Sequence, residues 1–152
     1  MIKITAKQHK ALQFYKDISN TTRSSTRSST RMLTSFQLAM ESDIGEPVTE
    51  ELLTFRNFLL NEELDELAEA SQDLINSGFT KETKAAYLKE LCDVCYVMVG
   101  TAVSFGWDFD EAFRRVHDSN MSKLVDGRPY KDTDGKVMKG PNYKPCDLGD
   151  LV

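Results

Sequence analysis

Leu59-Leu60-Asn61-Glu62-Glu63-Leu64-Asp65-Glu66-Leu67-Ala68-Glu69-Ala70 decides how this chain is read, because acidic residues interrupt an apolar helical stripe instead of keeping to the opposite face. At about 100° per residue, Leu60, Glu63, Leu64 and Leu67 share one side of a helix. Glu63 therefore points where a core residue belongs. Glu62 and Glu66 stand four apart and Glu63 and Glu66 three apart, spacings that bring side chains together on a helix surface. Carboxylates crowded in this way repel one another and lose hydration where they are half-buried, a cost that a cation or a set of donors must offset.

Outward from this stretch, Thr49 followed by Glu50 and Glu51 is an N-cap signal, so the acidic helix is expected from about Glu50 to Asn76, with Gly78 ending it. The next helix is expected over residues 81–105. Leu88, Leu91, Cys92, Cys95, Val99 and Ala102 form its long apolar face, and Gly106 stops it. Its acids Glu90 and Asp93 are again three apart, and Asp93 is the one charged residue between Leu91 and Trp107. An aspartate in such a segment needs either a buried donor or a metal. Two antiparallel helices packed through their stripes would bring Glu63 and Glu66 opposite Glu90 and Asp93. Such a cage has only oxygen donors, which suit Mg2+ or Mn2+, and no suitable set of His or Cys accompanies it. Arg56 lies at helical spacing from Glu63 and Glu66, and offers a way to position a ligand carboxylate.

The 152 residues, 40% of them hydrophobic, fit a single domain with a real core. A formal charge of −5 argues against broad nucleic-acid binding, although residues 1–31 hold seven Lys/Arg against Asp17 alone. The N-terminus lacks an apolar signal core, and the longest apolar run, from Leu91 to Trp107, carries Asp93 and small polar residues. It reads as a buried helix and not a membrane span. Three cysteines without an export signal point to reduced thiols in the cytoplasm. Cys92 and Cys95 spell Cys-x-x-Cys, but within a helical apolar pattern, where buried small hydrophobes are expected ahead of a redox or zinc role.

Residues 5–18 carry apolar positions at helical spacing. The tandem Ser-Ser-Thr-Arg repeat in residues 21–31 has nothing apolar to bury and reads as a loop, either a solvated linker or a segment whose Arg23, Arg27 and Arg31 reach an anion. Met32 to Glu41 suggests a short helix. Its Phe36 and Gln37 are suited to stacking on a base and reading its edge, or, for Phe36, to filling the core. A last helix begins near Asp108 and runs into His117. Residues 125–152 form a tail with the turn signals Asp126-Gly127, Asp134-Gly135 and Gly140-Pro141, either irregular or a short hairpin that pairs Tyr130-Lys131 with Val137-Met138. The expected class is all-α, with a helical bundle completed by oligomerisation, because the apolar residues of Leu91 to Trp107 need more cover than one chain supplies.

Glu62-Glu63-Leu64-Asp65-Glu66, followed by Glu90-Leu91-Cys92-Asp93, resembles the Glu-Glu-x-x-Glu and Glu-x-x-Asp signature of the MazG-like, all-α nucleoside triphosphate pyrophosphohydrolases. That superfamily also holds dimeric dUTPases and phosphoribosyl-ATP pyrophosphohydrolases. The stretch from His117 to Leu124 and that from Asp134 to Tyr143 resemble a branch common in phages and bacteria. The Ser-Ser-Thr-Arg repeat departs from the pattern, as does Cys146, which replaces a proline.

The resemblance implies hydrolysis of a (deoxy)nucleoside triphosphate, dGTP or dUTP among the candidates, to the monophosphate and pyrophosphate. It implies Mg2+, replaceable by Mn2+, held by Glu63, Glu66, Glu90 and Asp93, with Glu62 as an added ligand or the base that orients water. Asn120, Lys123 and Lys139 would face sugar or phosphates. A homodimer or homotetramer in the cytoplasm, a host cytoplasm for a phage protein, is implied, with no stable nucleic-acid partner and no membrane. Two other readings are phosphoribosyl-ATP as the substrate, and a non-enzymatic helical module whose acidic cluster binds divalent ions or a basic partner.

Overall fold

A computed structural model of the chain describes residues 29–152. The helix expected over 5–18 and most of the Ser-Ser-Thr-Arg repeat lie outside them. The described residues are helical for the most part: α1 (Ser29–Ala39), α2 (Glu50–Asn76), α3 (Lys81–Phe105) and α4 (Phe109–Met121), then two short strands and a closing 3-10 turn. No described helix is long and apolar enough to cross a membrane. Contacts divide the chain into two compact units, one ending at Trp107 and one running from Asp108 to Val152.

In the first unit the helix ends follow from their cap residues. Thr49 Oγ1 accepts from the Leu52 amide at 3.2 Å, and Glu50 and Glu51 place negative charge at the positive end of the helix dipole. Thr80 Oγ1 does the same for the Thr83 amide at 3.2 Å. α3 closes on Gly106 at φ +78°, a left-handed conformation that lets its amide and that of Trp107 turn back to carbonyls of the last turn.

The short connection from Ser77 to Thr80 makes α2 and α3 an antiparallel hairpin. Arg56 reaches Thr101 and Val97, while Glu63, farther along α2, meets Asp93 and Glu90, nearer the start of α3. α1 packs on α3 through Leu33 and through the Phe36 and Tyr96 rings, 5.4 Å apart and nearly perpendicular. The loop after α1 donates from the Gly45 and Glu46 amides to the Val103 and Ser104 carbonyls. The core is Leu33, Ile44, Val94, Val99, Ala102, Val103 and Phe105.

Three expectations meet a different arrangement. Ser29, Thr30 and Arg31, read as the end of the loop, form the first turn of α1, and Thr30 is fully buried. The inner face of that helix is Thr30, Leu33, Thr34 and Gln37, while Met32, Phe36 and Met40 are exposed. Cys92 and Cys95, expected buried, are exposed, as are Leu88, Leu91 and Met98 on the same face of α3. The reason is that α1 and its following loop cover the C-terminal half of α3, where Val99, Ala102 and Val103 are buried. Nothing among the described residues covers the face that carries the cysteines.

In the second unit, Asp108 caps α4 by accepting from the Glu111 amide at 3.1 Å, and Phe109 stacks on Phe113. β1 (Leu124–Val125) pairs antiparallel with β2 (Arg128–Pro129) across Asp126 and Gly127. Both turn residues have positive φ, +50° and +73°, the geometry that makes Asp-Gly a hairpin signal. The expected pairing of Tyr130-Lys131 with Val137-Met138 is present as one bridge, Lys131 to Val137, with the Met138 amide donating to the Tyr130 carbonyl at 2.7 Å. The chain end returns to α4, where Arg115 forks onto the Asp150 carboxylate. Hydrogen bonds from Arg114 and Arg115 hold Glu111 down to about 2, so it stays ionised at any ordinary pH.

Candidate metal centre and adjoining cavity

The hairpin turns one residue of α2 and two of α3 toward a common point. Glu63, Glu90 and Asp93 each offer a carboxylate oxygen, and the three oxygens lie within 4.8 Å of one another. Ligands of one octahedral Mg2+ stand about 3 to 4 Å apart, so small side-chain rotations would seat a cation among them. All three residues are partly shielded from solvent. The Glu63 carboxyl is pushed above its usual range by lost hydration first, then by the Asp93 and Glu66 charges. Lys89 opposes that rise, and Glu62 adds a little to it. A proton is held more tightly there for the reason a divalent cation would be: negative charge has been gathered and partly dried. Hard oxygen donors brought this close fit Mg2+ or Mn2+ and not a soft metal.

Glu66, expected as a fourth ligand, is not brought into the cluster. It lines a neighbouring groove of about 530 Å³ with Glu69, Asp73, Glu82 and Glu90, near enough for its charge to act on Glu63. Glu62 is exposed beside Glu63.

On the other side of Glu63 lies a cavity of about 420 Å³, whose walls include Leu33, Phe36, Gln37, Arg56, Tyr96 and Glu63 itself. Phe36 and Gln37 are thus placed in one cavity with a carboxylate of the cluster. Gln37 is buried, and its Nε2 donates to the Asp43 carbonyl at 3.2 Å and to Ser104 Oγ at 2.8 Å. A backbone carbonyl can only accept, which fixes the nitrogen on that side of the amide. Gln37 Oε1 is buried with no hydrogen-bond partner among the described residues.

Two residues at the site have roles other than the sequence assigns: Arg56 has different partners from those expected, and Lys89 was given none. Arg56, 9% exposed, does not face a ligand carboxylate. Its Nε donates to Thr101 Oγ1 at 3.1 Å and its Nη2 to the Val97 carbonyl at 3.0 Å. Burial lowers its pKa and the Asp43 charge counteracts that. Gly100 accommodates it, since a Cβ there would lie 2.8 Å from Nη2. Lys89 is the other: its ammonium lies 2.7 Å from Asp93 Oδ2 and 3.0 Å from Glu90 Oε2. The four-residue spacing from Lys89 to Asp93 was the available signal, but such pairs are common on any helix.

Asn120, Lys123 and Lys139 belong to the second unit. Lys123 Nζ donates to Asn120 Oδ1 at 2.8 Å, and Lys139 Nζ stands 4.6 Å from the centre of the Tyr143 ring.

The first unit is an all-α hairpin whose facing helices bring three carboxylates together, a donor set of the kind that suits a hard divalent cation. The sequence matches the phosphoribosyl-ATP pyrophosphohydrolase family over residues 14–120, and the chain belongs to that family, part of the same superfamily as the MazG-like enzymes. Membership makes it a pyrophosphohydrolase of a nucleotide-like substrate, in a group that typically depends on divalent metal. No curated protein matches the sequence.

Proposed function

We propose that the chain hydrolyses a nucleoside triphosphate, ribo- or deoxyribo-, to the monophosphate and pyrophosphate, with Glu63, Glu90 and Asp93 holding Mg2+ or Mn2+. The observation that carries this reading is the convergence of those three carboxylates at the edge of an aromatic-walled cavity. The cation would polarise phosphoryl oxygens and lower the pKa of a bound water. Glu62, exposed next to the cluster, accepts the proton of the attacking water or adds a ligand, and Glu66 extends the negative field from the neighbouring groove. The water oxygen bonds to the α-phosphorus, the bond from that phosphorus to the bridging oxygen breaks, and pyrophosphate leaves with the electron pair. Phe36 and Tyr96 offer ring faces and edges to a base, and Gln37 Oε1 is an acceptor that a base N–H would satisfy. Asn120, Lys123 and Lys139 are read as sugar and phosphate contacts.

The exposed apolar face of α3, with Leu88, Leu91 and Met98, is read as the surface that a second copy covers, in a dimer or tetramer. The setting is cytoplasmic nucleotide-pool control, and the tail motifs support a phage or bacterial branch with dGTP or dUTP as substrate. A second reading, hydrolysis of phosphoribosyl-ATP, is favoured by the family match itself.

One assay separates these. Ribo- and deoxyribonucleoside triphosphates and phosphoribosyl-ATP are incubated with the protein and Mg2+, and pyrophosphate and monophosphate are measured. At least one triphosphate is expected to yield both in equal amounts, with no turnover in chelator. Turnover of phosphoribosyl-ATP alone would move the substrate to the second reading. Release of diphosphate and orthophosphate would contradict attack at the α-phosphorus. Metal binding with no turnover of any substrate would leave a non-enzymatic module.

A further inference from the structure

Lys89 precedes Glu90 by one residue and Asp93 by four on α3, and its ammonium reaches both carboxylates. Nζ lies 2.7 Å from Asp93 Oδ2 and 3.0 and 3.1 Å from the two oxygens of Glu90. The side chain is 62% exposed, so its stem is not pinned by packing and is free to swing. The oxygens it contacts belong to two of the three residues that converge with Glu63. An ammonium bound to those carboxylates blocks part of the donor set and repels any second cation that approaches it.

We propose that Lys89 is the counter-ion of the metal-free cluster, that it is displaced when a divalent cation enters, and that its freed ammonium then binds the phosphate chain of the nucleotide. This rests on the metal-site reading of Glu63, Glu90 and Asp93. The exchange needs no backbone movement, because a four-carbon stem with exposed rotamers reaches several positions around its own Cα. It also couples two ligands. The cation releases Lys89, the triphosphate gives the released charge a new partner, and each therefore favours binding of the other by the same factor. Without such a counter-ion the cluster would bind metal more readily in the absence of substrate; with it, full occupancy is tied to the arrival of nucleotide.

Lys89→Met keeps most of the stem and removes the charge. The full-length variant is titrated with Mn2+ alone, followed by calorimetry or electron paramagnetic resonance, and its steady-state kinetics are measured on a triphosphate that the wild type hydrolyses. At low salt, Mn2+ alone is expected to bind about threefold to tenfold more tightly than to wild type, the effect of removing one positive charge a few ångströms away through a well-solvated medium. The KM for the triphosphate is expected to rise by about tenfold, with a smaller change in kcat, as a charge-assisted phosphate contact is lost. Lys89→Arg should restore KM. Lys84→Met, an exposed charge on the same helix, should leave Mn2+ affinity within about twofold of wild type. Unchanged or weaker Mn2+ binding by Lys89→Met would overturn the counter-ion role while leaving the metal site standing. An unchanged KM would overturn the phosphate role. A wild type that binds no Mn2+ would remove the metal-site reading and this inference together.

Discussion

Asp93→Asn is expected to lose most activity and most of the thermal stabilisation that Mg2+ or Mn2+ confers, while the metal-free protein stays as stable as the parent or gains up to about 1 kcal/mol, the size of a typical substitution effect. Charge sets the direction of both effects. In the metal-free state Asp93 raises the proton affinity of Glu63, a sign that the two carboxylates repel in a partly dried setting. An amide of the same shape relieves that repulsion. What it gives up is the pair with Lys89, whose side chain is 62% exposed, and ion pairs of such exposed groups contribute little. An aspartate anchored to a buried cation would behave in the opposite way, because neutralising it would strand the partner at a cost of about 3 to 5 kcal/mol. The structure has no such partner for Asp93 among the described residues, since Lys89 is at the surface. Ligand-linked stabilisation reports the metal separately: a cation at a hundred times its Kd adds about 2.7 kcal/mol to a fold it binds and nothing to one it does not. Thermal melts of wild type and variant, in chelator and in metal, measure both terms. A destabilised apo variant with an unchanged metal-induced shift would contradict the assignment.

Arg56→Ala is expected to produce the largest loss of stability of any single substitution near the site, about 3 kcal/mol, from the cavity left by a long buried side chain and the loss of its paired polar contacts. The guanidinium ties α2 to α3 by two directional bonds, to Thr101 Oγ1 and the Val97 carbonyl, in the space that Gly100 leaves open. It also neutralises part of the Asp43 charge beside the cavity. Arg56→Lys should recover little of the loss, because an ammonium cannot reproduce the planar fork that serves two acceptors at once. Urea denaturation of the three proteins checks this. A loss under about 1 kcal/mol for Arg56→Ala would place Arg56 among ordinary surface residues.

These two residues show what the sequence makes legible. The helix limits were readable because their signals are local: Thr49 as a cap, and Gly106 where a left-handed residue is required. Glu63 was readable because it breaks a stripe, and Glu90 and Asp93 because they repeat its logic on the next helix. An antiparallel hairpin then leaves few ways to place them except together. Glu66 shows the limit of that reasoning. Spacing puts it near Glu63, but whether its carboxylate turns inward or along the groove depends on side-chain direction, which spacing does not encode.

Arg56 was misjudged for a related reason. Periodicity showed which residues share its face, but its partners, Thr101 and the Val97 carbonyl, lie far along the chain on another helix. Cys92 and Cys95 were expected to be buried because an apolar stripe implies cover, yet a stripe says nothing about which chain supplies it. The inner face of α1 could not be read at all by hydrophobic pattern, since Thr30, Thr34 and Gln37 occupy positions where apolar residues would have been counted. The hairpin at Asp126-Gly127 follows from turn chemistry, though only its turn, and not its two short strands, stood out in the sequence.

The central claim is that Glu63, Glu90 and Asp93 together hold a divalent cation, and anomalous diffraction at the manganese edge tests it most directly, on crystals grown with Mn2+ and a non-hydrolysable triphosphate analogue. A manganese peak is expected at about 2.0 to 2.3 Å from an oxygen of each of those three residues, the range of hard divalent ions with carboxylate ligands, with the phosphate chain on its open side. Manganese found instead only in the groove of Glu66, Asp73 and Glu82, or no ordered manganese at Glu63, would contradict it.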